Sequence, residues 1–234
     1  MDDTITLNFF TRKKLRQKPL SKRLLQLLFT YDKRFSPEYI GVGNGWKRVT
    51  EKKIEDIVRF WPKQLNVSFE RRTTFASTVV ISLGQLARGG YSTFHFWLDT
   101  SYFVVPNRLG HYLEFSLALY DLLSPSYGSI HPTGDAIAMK TVVDPKYGRM
   151  IVPTDLNKGL PAVYWGNFFG PDYVSLIGRI SLLKLRSSQT IELNDGGILI
   201  LTTPTPLELD HELQTQIKKE IGEDFFYKWE YRKR

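Results

Sequence analysis

Cysteine is absent from this sequence, and that absence removes several chemistries at once. Disulfide staples, thiolate zinc sites, iron–sulfur clusters and a cysteine nucleophile all need a side chain the protein does not have. Long apolar runs are missing too. The best candidates, 112–123 and 198–203, are too short or carry Glu114 and Asp121, against the roughly 18 or more residues of a membrane helix. No membrane partner is therefore expected. Histidine is scarce: His95, His111, His131 and His211 stand far apart, with no H-E-x-x-H or comparable pair to hold a metal. Met1-Asp2-Asp3-Thr4 is acidic and is not followed by a basic and then an apolar signal region. No secretory signal is expected, and the reducing cytoplasm is the expected location.

What is present describes a folded globule. Of 234 residues, 42% are hydrophobic and 14% aromatic, enough for one large domain with a sizeable core. The net charge is +8 and it is uneven. Arg12, Lys13, Lys14, Arg16, Lys18, Lys22, Arg23, Lys33 and Arg34 face a single acid, Asp32, across 12–34. The surplus of this one stretch equals that of the whole chain. Such a patch either solvates a helix face or attracts an acidic partner: nucleic acid, anionic lipid or an acidic protein.

Periodicity predicts strands over 4–10, 67–71, 78–83, 91–98 and 127–131. It predicts helices where Leu24, Leu25, Leu27 and Leu28 share a face, over 50–61, and over 108–123, which Ser124-Pro125 ends. The glycine-rich 41–45 reads as a loop and 142–161 as a long irregular loop of functional interest. A strand over 164–169, a helix from Gly170-Pro171-Asp172, a hairpin about Asn194-Asp195-Gly196-Gly197 and a helix over 207–220 complete the order. The fold expected is α+β, with a mixed or mainly antiparallel sheet packed by helices. One compact domain, 1–234, is expected, with any weak division into closely associated lobes near 140–160.

Catalytic chemistry does not emerge. Gly41-Val42-Gly43-Asn44-Gly45 lacks both the Gly-Lys-Ser/Thr ending of a P-loop and the spacing of a dinucleotide fingerprint. No G-x-S-x-G occurs, and Pro132 separates His131 from Asp135. No residue set calls for a cofactor or a metal, so a binding protein is expected, not an enzyme. Aromatic and basic residues do mingle, Phe29 and Tyr31 beside the 12–34 patch and Phe225, Phe226, Tyr227, Trp229 and Tyr231 near residue 230. That mixture suits single-strand stacking and leaves nucleic-acid binding as the alternative reading. Candidate partner anchors are Trp46 in the glycine-rich segment and Tyr147, Arg149 and Met150 in the long loop, by the aromatic and arginine bias of interface centres.

The most distinctive stretch is Gly159-Leu160-Pro161-Ala162-Val163-Tyr164-Trp165-Gly166-Asn167-Phe168-Phe169-Gly170-Pro171-Asp172-Tyr173-Val174. It resembles a signature of bacterial polymorphic-toxin immunity proteins, the immunity protein 52 family, with Ala162 where that pattern has a glycine. Pro125-Ser126-Tyr127-Gly128 and Asp195-Gly196-Gly197 add to the likeness, which covers roughly 110–205. The resemblance implies a cytoplasmic antitoxin that binds a cognate protein toxin and neutralises it by occlusion, carrying no catalytic residues. An acidic toxin would complement the +8 charge. Within the signature, Tyr164, Trp165, Asn167, Phe168, Gly170 and Pro171 are expected to build scaffold, the aromatics filling the core from a strand and Gly170-Pro171 turning into a helix.

Overall fold

The computed structural model describes residues 3–42, 45–83, 90–135, 141–144, 148–151 and 154–227, the side chains of Pro62, 141–144 and 148–151 excepted. Ten strands form one sheet in the order β11-β12-β10-β7-β1-β6-β5-β4-β2-β3. They are β1 (Thr4–Thr11), β2 (Tyr39–Val42), β3 (Gly45–Arg48), β4 (Asn66–Arg71), β5 (Ser77–Ser82), β6 (Ser92–Asp99), β7 (Tyr127–Pro132), β10 (Gly166–Phe169), β11 (Gln189–Glu192) and β12 (Ile198–Leu201). Every neighbouring pair is antiparallel. The fold is α+β.

β1 sits at the centre because its sequence suits both sides of a sheet. Ile5, Leu7 and Phe9 point one way and Thr6, Asn8 and Phe10 the other, and all six are buried. The first face is covered by α1 (Lys18–Thr30), α2 (Ile54–Phe60) and α3 (Arg108–Leu123). Leu24, Leu25 and Leu28 of α1, Ile57 of α2 and Phe115 and Leu119 of α3 meet Phe69, Phe94 and Phe96 of the sheet in the main core. Phe35 anchors it, its ring 4.8 Å from Phe115 and 5.7 Å from Phe96.

A second, smaller core lies on the opposite face. There α4 (Pro171–Ile177), α5 (Arg179–Leu183) and α6 (His211–Ile221) bring Val174, Leu182, Ile217 and Ile221 onto Tyr127, Phe169, Ile198 and Ile200. Asp210 starts α6, its side chain accepting from Leu213 N at 2.8 Å. Phe226 is buried in the same core and Leu160 bridges to it, so this aromatic stretch packs home up to the last described residue.

Three sequence expectations are corrected. The segment 41–45 is not a plain loop: Tyr39–Val42 and Gly45–Arg48 form a hairpin, with Val42 facing Gly45 across a two-residue connection. The irregular loop expected over 142–161 contains a separate hairpin, β8 (Thr141–Asp144) with β9 (Gly148–Ile151). Its Thr-Val-Val arm is β-branched, and that local preference outweighs the proline and glycine beside it. The strand expected from Tyr164 begins only at Gly166, for a reason set by Asn167 and given below.

Candidate partner-binding surface

The register fixes which side chains share the second face. From the centre outward they are His95, Trp97 and Asp99 of β6, Thr78 and Val80 of β5, Ser68 and Glu70 of β4, Tyr39 and Gly41 of β2, and Trp46 and Arg48 of β3. The small core beneath α4–α6 ends at Phe10 of β1. Beyond it, Trp97, Val80, Thr78, Ser68, Glu70 and Tyr39 are half-exposed and Trp46 is exposed by 43%. One sheet is thus covered on both sides at one end and open on this side at the other.

At the open end three side chains stack. The Arg72 guanidinium lies 4.4 Å from the Tyr39 ring centroid and 5.9 Å from that of Trp46. Its Nε donates to Glu70 Oε2 at 2.8 Å and an Nη also pairs with Glu70, at 2.6 Å. Glu38 ties the turn behind it, accepting from Arg72 N, Thr73 N and Thr73 Oγ1 and facing Arg71 at 3.3 Å. Burial acts to raise the Glu38 carboxyl, but these hydrogen bonds win and hold it below its ordinary value. Arg72 is therefore presented in a fixed pose. Trp46 also packs over Gly41, whose missing Cβ would come within 3.6 Å of the indole. A Tyr–Arg–Trp cluster held rigid at a surface matches the composition of binding hot spots.

Where the covered and open halves meet runs a buried polar seam. Asn8 Nδ2 lies 2.8 Å from His131 Nε2, Asn8 Oδ1 meets His95 Nδ1, and His95 Nε2 lies 2.9 Å from Thr93 Oγ1. Thr6 and Thr133 are joined at 2.6 Å, and His131 packs on Tyr164 with centroids 4.5 Å apart. The Asn8 amide supplies a donor to one imidazole and an acceptor to the other, an arrangement satisfied with both rings neutral. The seam does set the Thr93 hydroxyl against His95, with Asn8 on the other ring nitrogen, but Thr93 is fully buried and presents no nucleophile to a substrate. Among the described residues no group of three acidic or histidine side chains could hold a metal ion.

Asp135 lies beside the seam with Oδ2 buried and without a hydrogen-bond partner among the described residues, 3.9 Å from His211 at its other oxygen. Burial raises its carboxyl above the ordinary value, and His211 opposes this only in part. A carboxyl raised in the folded state is a stability cost above its folded pKa, a cost that vanishes on protonation. Asp135→Asn should therefore raise the melting temperature by a few degrees at pH 7 to 8 and change little near pH 3. Thermal unfolding followed across that range checks it, and a loss of stability at neutral pH would contradict it.

The structure places the expected anchors unequally. Trp46 is in the open cluster. Tyr147 lies outside the described residues, and Arg149 and Met150 fall on β9, in the separate hairpin, with no described side chains. Sequence reasoning missed Tyr39, Arg72, Trp97 and Asp99. Trp97 carried a signal: in Thr93-x-His95-x-Trp97-x-Asp99 it stands on the polar side of an alternating strand, where a buried tryptophan is not expected.

The signature residues build scaffold. Tyr164, Trp165, Phe168 and Asn167 are buried to within 1%. Trp165 donates Nε1–H to Thr203 O at 2.9 Å, and Phe168 packs on Phe9 at 5.0 Å and on Tyr120 at 5.5 Å. Asn167 accepts from Tyr164 N at 2.9 Å and donates to Tyr164 O at 2.8 Å. It thereby takes the place of a neighbouring strand for one residue and lets the chain bend before β10. Pro171 opens α4, where its missing N–H costs nothing. Of the nine basic residues of 12–34, Arg12 reaches Tyr91 at the second core, whereas Lys13, Arg16, Lys22 and Arg34 lie on the other side of the molecule with α1, α2 and α3. Lys22 pairs with Glu55, Arg34 with Asp32, and Arg16 donates to Gln64 O. Phe29 is buried there and Tyr31 packs on Phe115 at 5.2 Å, so neither aromatic offers a stacking platform.

No known family matches the sequence, and no curated protein does. Among solved structures, the Pseudomonas aeruginosa T6SS protein PA0821 is similar, with a TM-score of 0.64 over 95% of this chain and 73% of that one. Sequence identity is 13%, so the likeness is one of fold. No described helix is long and apolar enough to cross a membrane.

Proposed function

We propose that this chain is an immunity protein: a non-catalytic cytoplasmic antitoxin that covers a cognate bacterial toxin with the open half of its sheet. The observation that carries the reading is the Tyr39–Arg72–Trp46 stack, held by Glu70 and Glu38 beside an uncovered sheet face. Rigid aromatic and arginine anchors lose little entropy on binding and suit tight occlusion. The toxin-immunity part of the reading draws on the resemblance of 159–174 to immunity protein 52, and on a shared fold with a T6SS protein. The scaffold role of that segment fits such a family, in which a common core carries a variable reading surface. Because the placed basic residues of 12–34 lie on the α1 side or, for Arg12, at the second core, an acidic toxin is not required by this interface.

A contact competition tests the proposal without knowledge of the toxin. A strain deleted for this gene, grown against its toxin-bearing parent, should lose fitness in contact and regain it on complementation. Complementation with the double variant Trp46→Ala, Arg72→Ala should fail although the protein accumulates normally. No fitness loss in the deletion strain would overturn the immunity reading. Full protection by the double variant would move the interface elsewhere.

A further inference from the structure

The open face is not flat. Beside the stack lies a cleft of about 280 Å³ whose floor is Trp97, Val80, Thr78 and Ala76 and whose rim carries Glu70 and Asp99. The register explains it. Thr78 faces Trp97 on one side and Glu70 on the other, so short side chains on β5 leave a trough between larger ones on β4 and β6. The trough is at the small end of the roughly 300–1,000 Å³ of small-molecule sites and has room for one extended side chain.

Of its charged groups, one is not neutralised from within. Arg71 lines the cleft, but its guanidinium donates to Ser36 O at 3.2 Å and pairs with Glu38. Arg72 serves Glu70. Asp99 accepts from Ser101 N at 2.8 Å and has no cation partner among the described residues. A protein of net charge +8 thus keeps an unpaired carboxylate at the lip of an indole-floored slot.

We infer that this cleft receives a basic side chain of the protein partner, a lysine or an arginine, its aliphatic stem along Trp97 and Val80 and its cationic head on Asp99. Each part of such a side chain meets its complement. The methylenes cover half-exposed apolar surface, the charge finds a carboxylate, and the cation comes near an indole face. An acidic or purely aliphatic side chain would leave one element unmatched. The inference rests on the open face being the partner surface, and it names the chemistry the partner brings there.

The probes are N-acetyl-arginine methylamide, N-acetyl-lysine methylamide and the neutral N-acetyl-norleucine methylamide, titrated into ¹⁵N-labelled full-length protein while the Trp97 indole signal is followed. The cationic probes should shift that signal saturably and bind at least about fivefold more tightly than norleucine. Asp99→Asn should weaken them by about tenfold, a charge-assisted contact being lost. The amide can still accept from Ser101 N, so the turn it caps persists. A second variant, Val80→Lys, fills the slot with a tethered cation at a half-exposed strand position and should abolish the shift. Equal binding of norleucine, or an Asp99→Asn variant that binds the cationic probes unchanged, would overturn the inference. The titration contains no toxin, so it and the growth competition succeed or fail independently.

Discussion

Asn167→Leu should destabilise the fold by about 2–6 kcal/mol, measured by denaturant unfolding at pH 7. The side chain is 1% exposed and both of its polar atoms serve the backbone of Tyr164, one to N–H and one to C=O. Leucine keeps the branching and the number of side-chain heavy atoms, so the contacts are crowded, not lost, and the chief loss is of hydrogen bonds. Two buried backbone groups lose their partners, and each costs on the order of 1–3 kcal/mol. Asn167→Asp separates the two bonds. The introduced carboxylate can still accept from Tyr164 N–H but turns an oxygen toward Tyr164 C=O. Protonation restores a donor there. Burial raises the folded pKa of that carboxyl above its unfolded value, so its penalty is present at neutral pH and shrinks as pH falls through the folded pKa. The gap between variant and parent should therefore narrow toward pH 4. A gap that is constant with pH would show that the amide hydrogen is not the essential part.

Gly170→Ala should cost about 3 kcal/mol, an effect large for one methyl group. A Cβ at this position would lie 2.4 Å from the carbonyl oxygen of Pro125 and 2.9 Å from that of Ser126. Both obstacles are backbone, and Gly170 N already bonds Ser126 O at 2.9 Å. The two segments cannot part without breaking that bond and disturbing the start of β7, where Ser126 N is held by Phe10 O at 2.8 Å. Forced overpacking of this kind typically costs 1–3 kcal/mol, sometimes more. Conformational freedom is not the reason for glycine here, since its φ of −68° is open to any residue. An alanine variant as stable as the parent would mean that the strand and helix separate freely at this corner.

How much of this was legible depended on whether the cause was local. α3 could be read to its ends, because Leu109, Tyr112, Leu119 and Leu123 repeat at helical spacing and Ser124-Pro125 stops it. The signature could be read as scaffold, since four aromatics in six residues have few places to go but a core. The hairpin β2–β3 could have been read and was not: Gly43-Asn44 between alternating flanks is a turn signal, obscured by the glycines around it. The candidate surface was a different matter. Tyr39, Arg72 and Trp46 meet only because β3 pairs with β2, β2 with β4, and all three extend past the last covering helix. Nothing near Asp99 in sequence announces that Trp97, Val80 and Glu70 will frame a slot with it. Such a site is a product of strand order, which no window of the sequence contains.

Strand order has a further consequence, in time. The first strand is the middle of the sheet, and its neighbours are 92–99 on one side and 127–132 on the other. Until 92–99 has left the ribosome, β1 has no neighbour to pair with, and until 127–132 follows it has only one. Contacts so distant in sequence make folding slow, typically milliseconds to seconds for sheets dominated by non-local pairing. The nascent chain spends that interval as an exposed, sticky polymer in need of chaperones. For a protein proposed to neutralise a toxin, protection lags behind translation. Cells would have to hold a finished reserve of it before the first toxin molecule arrives.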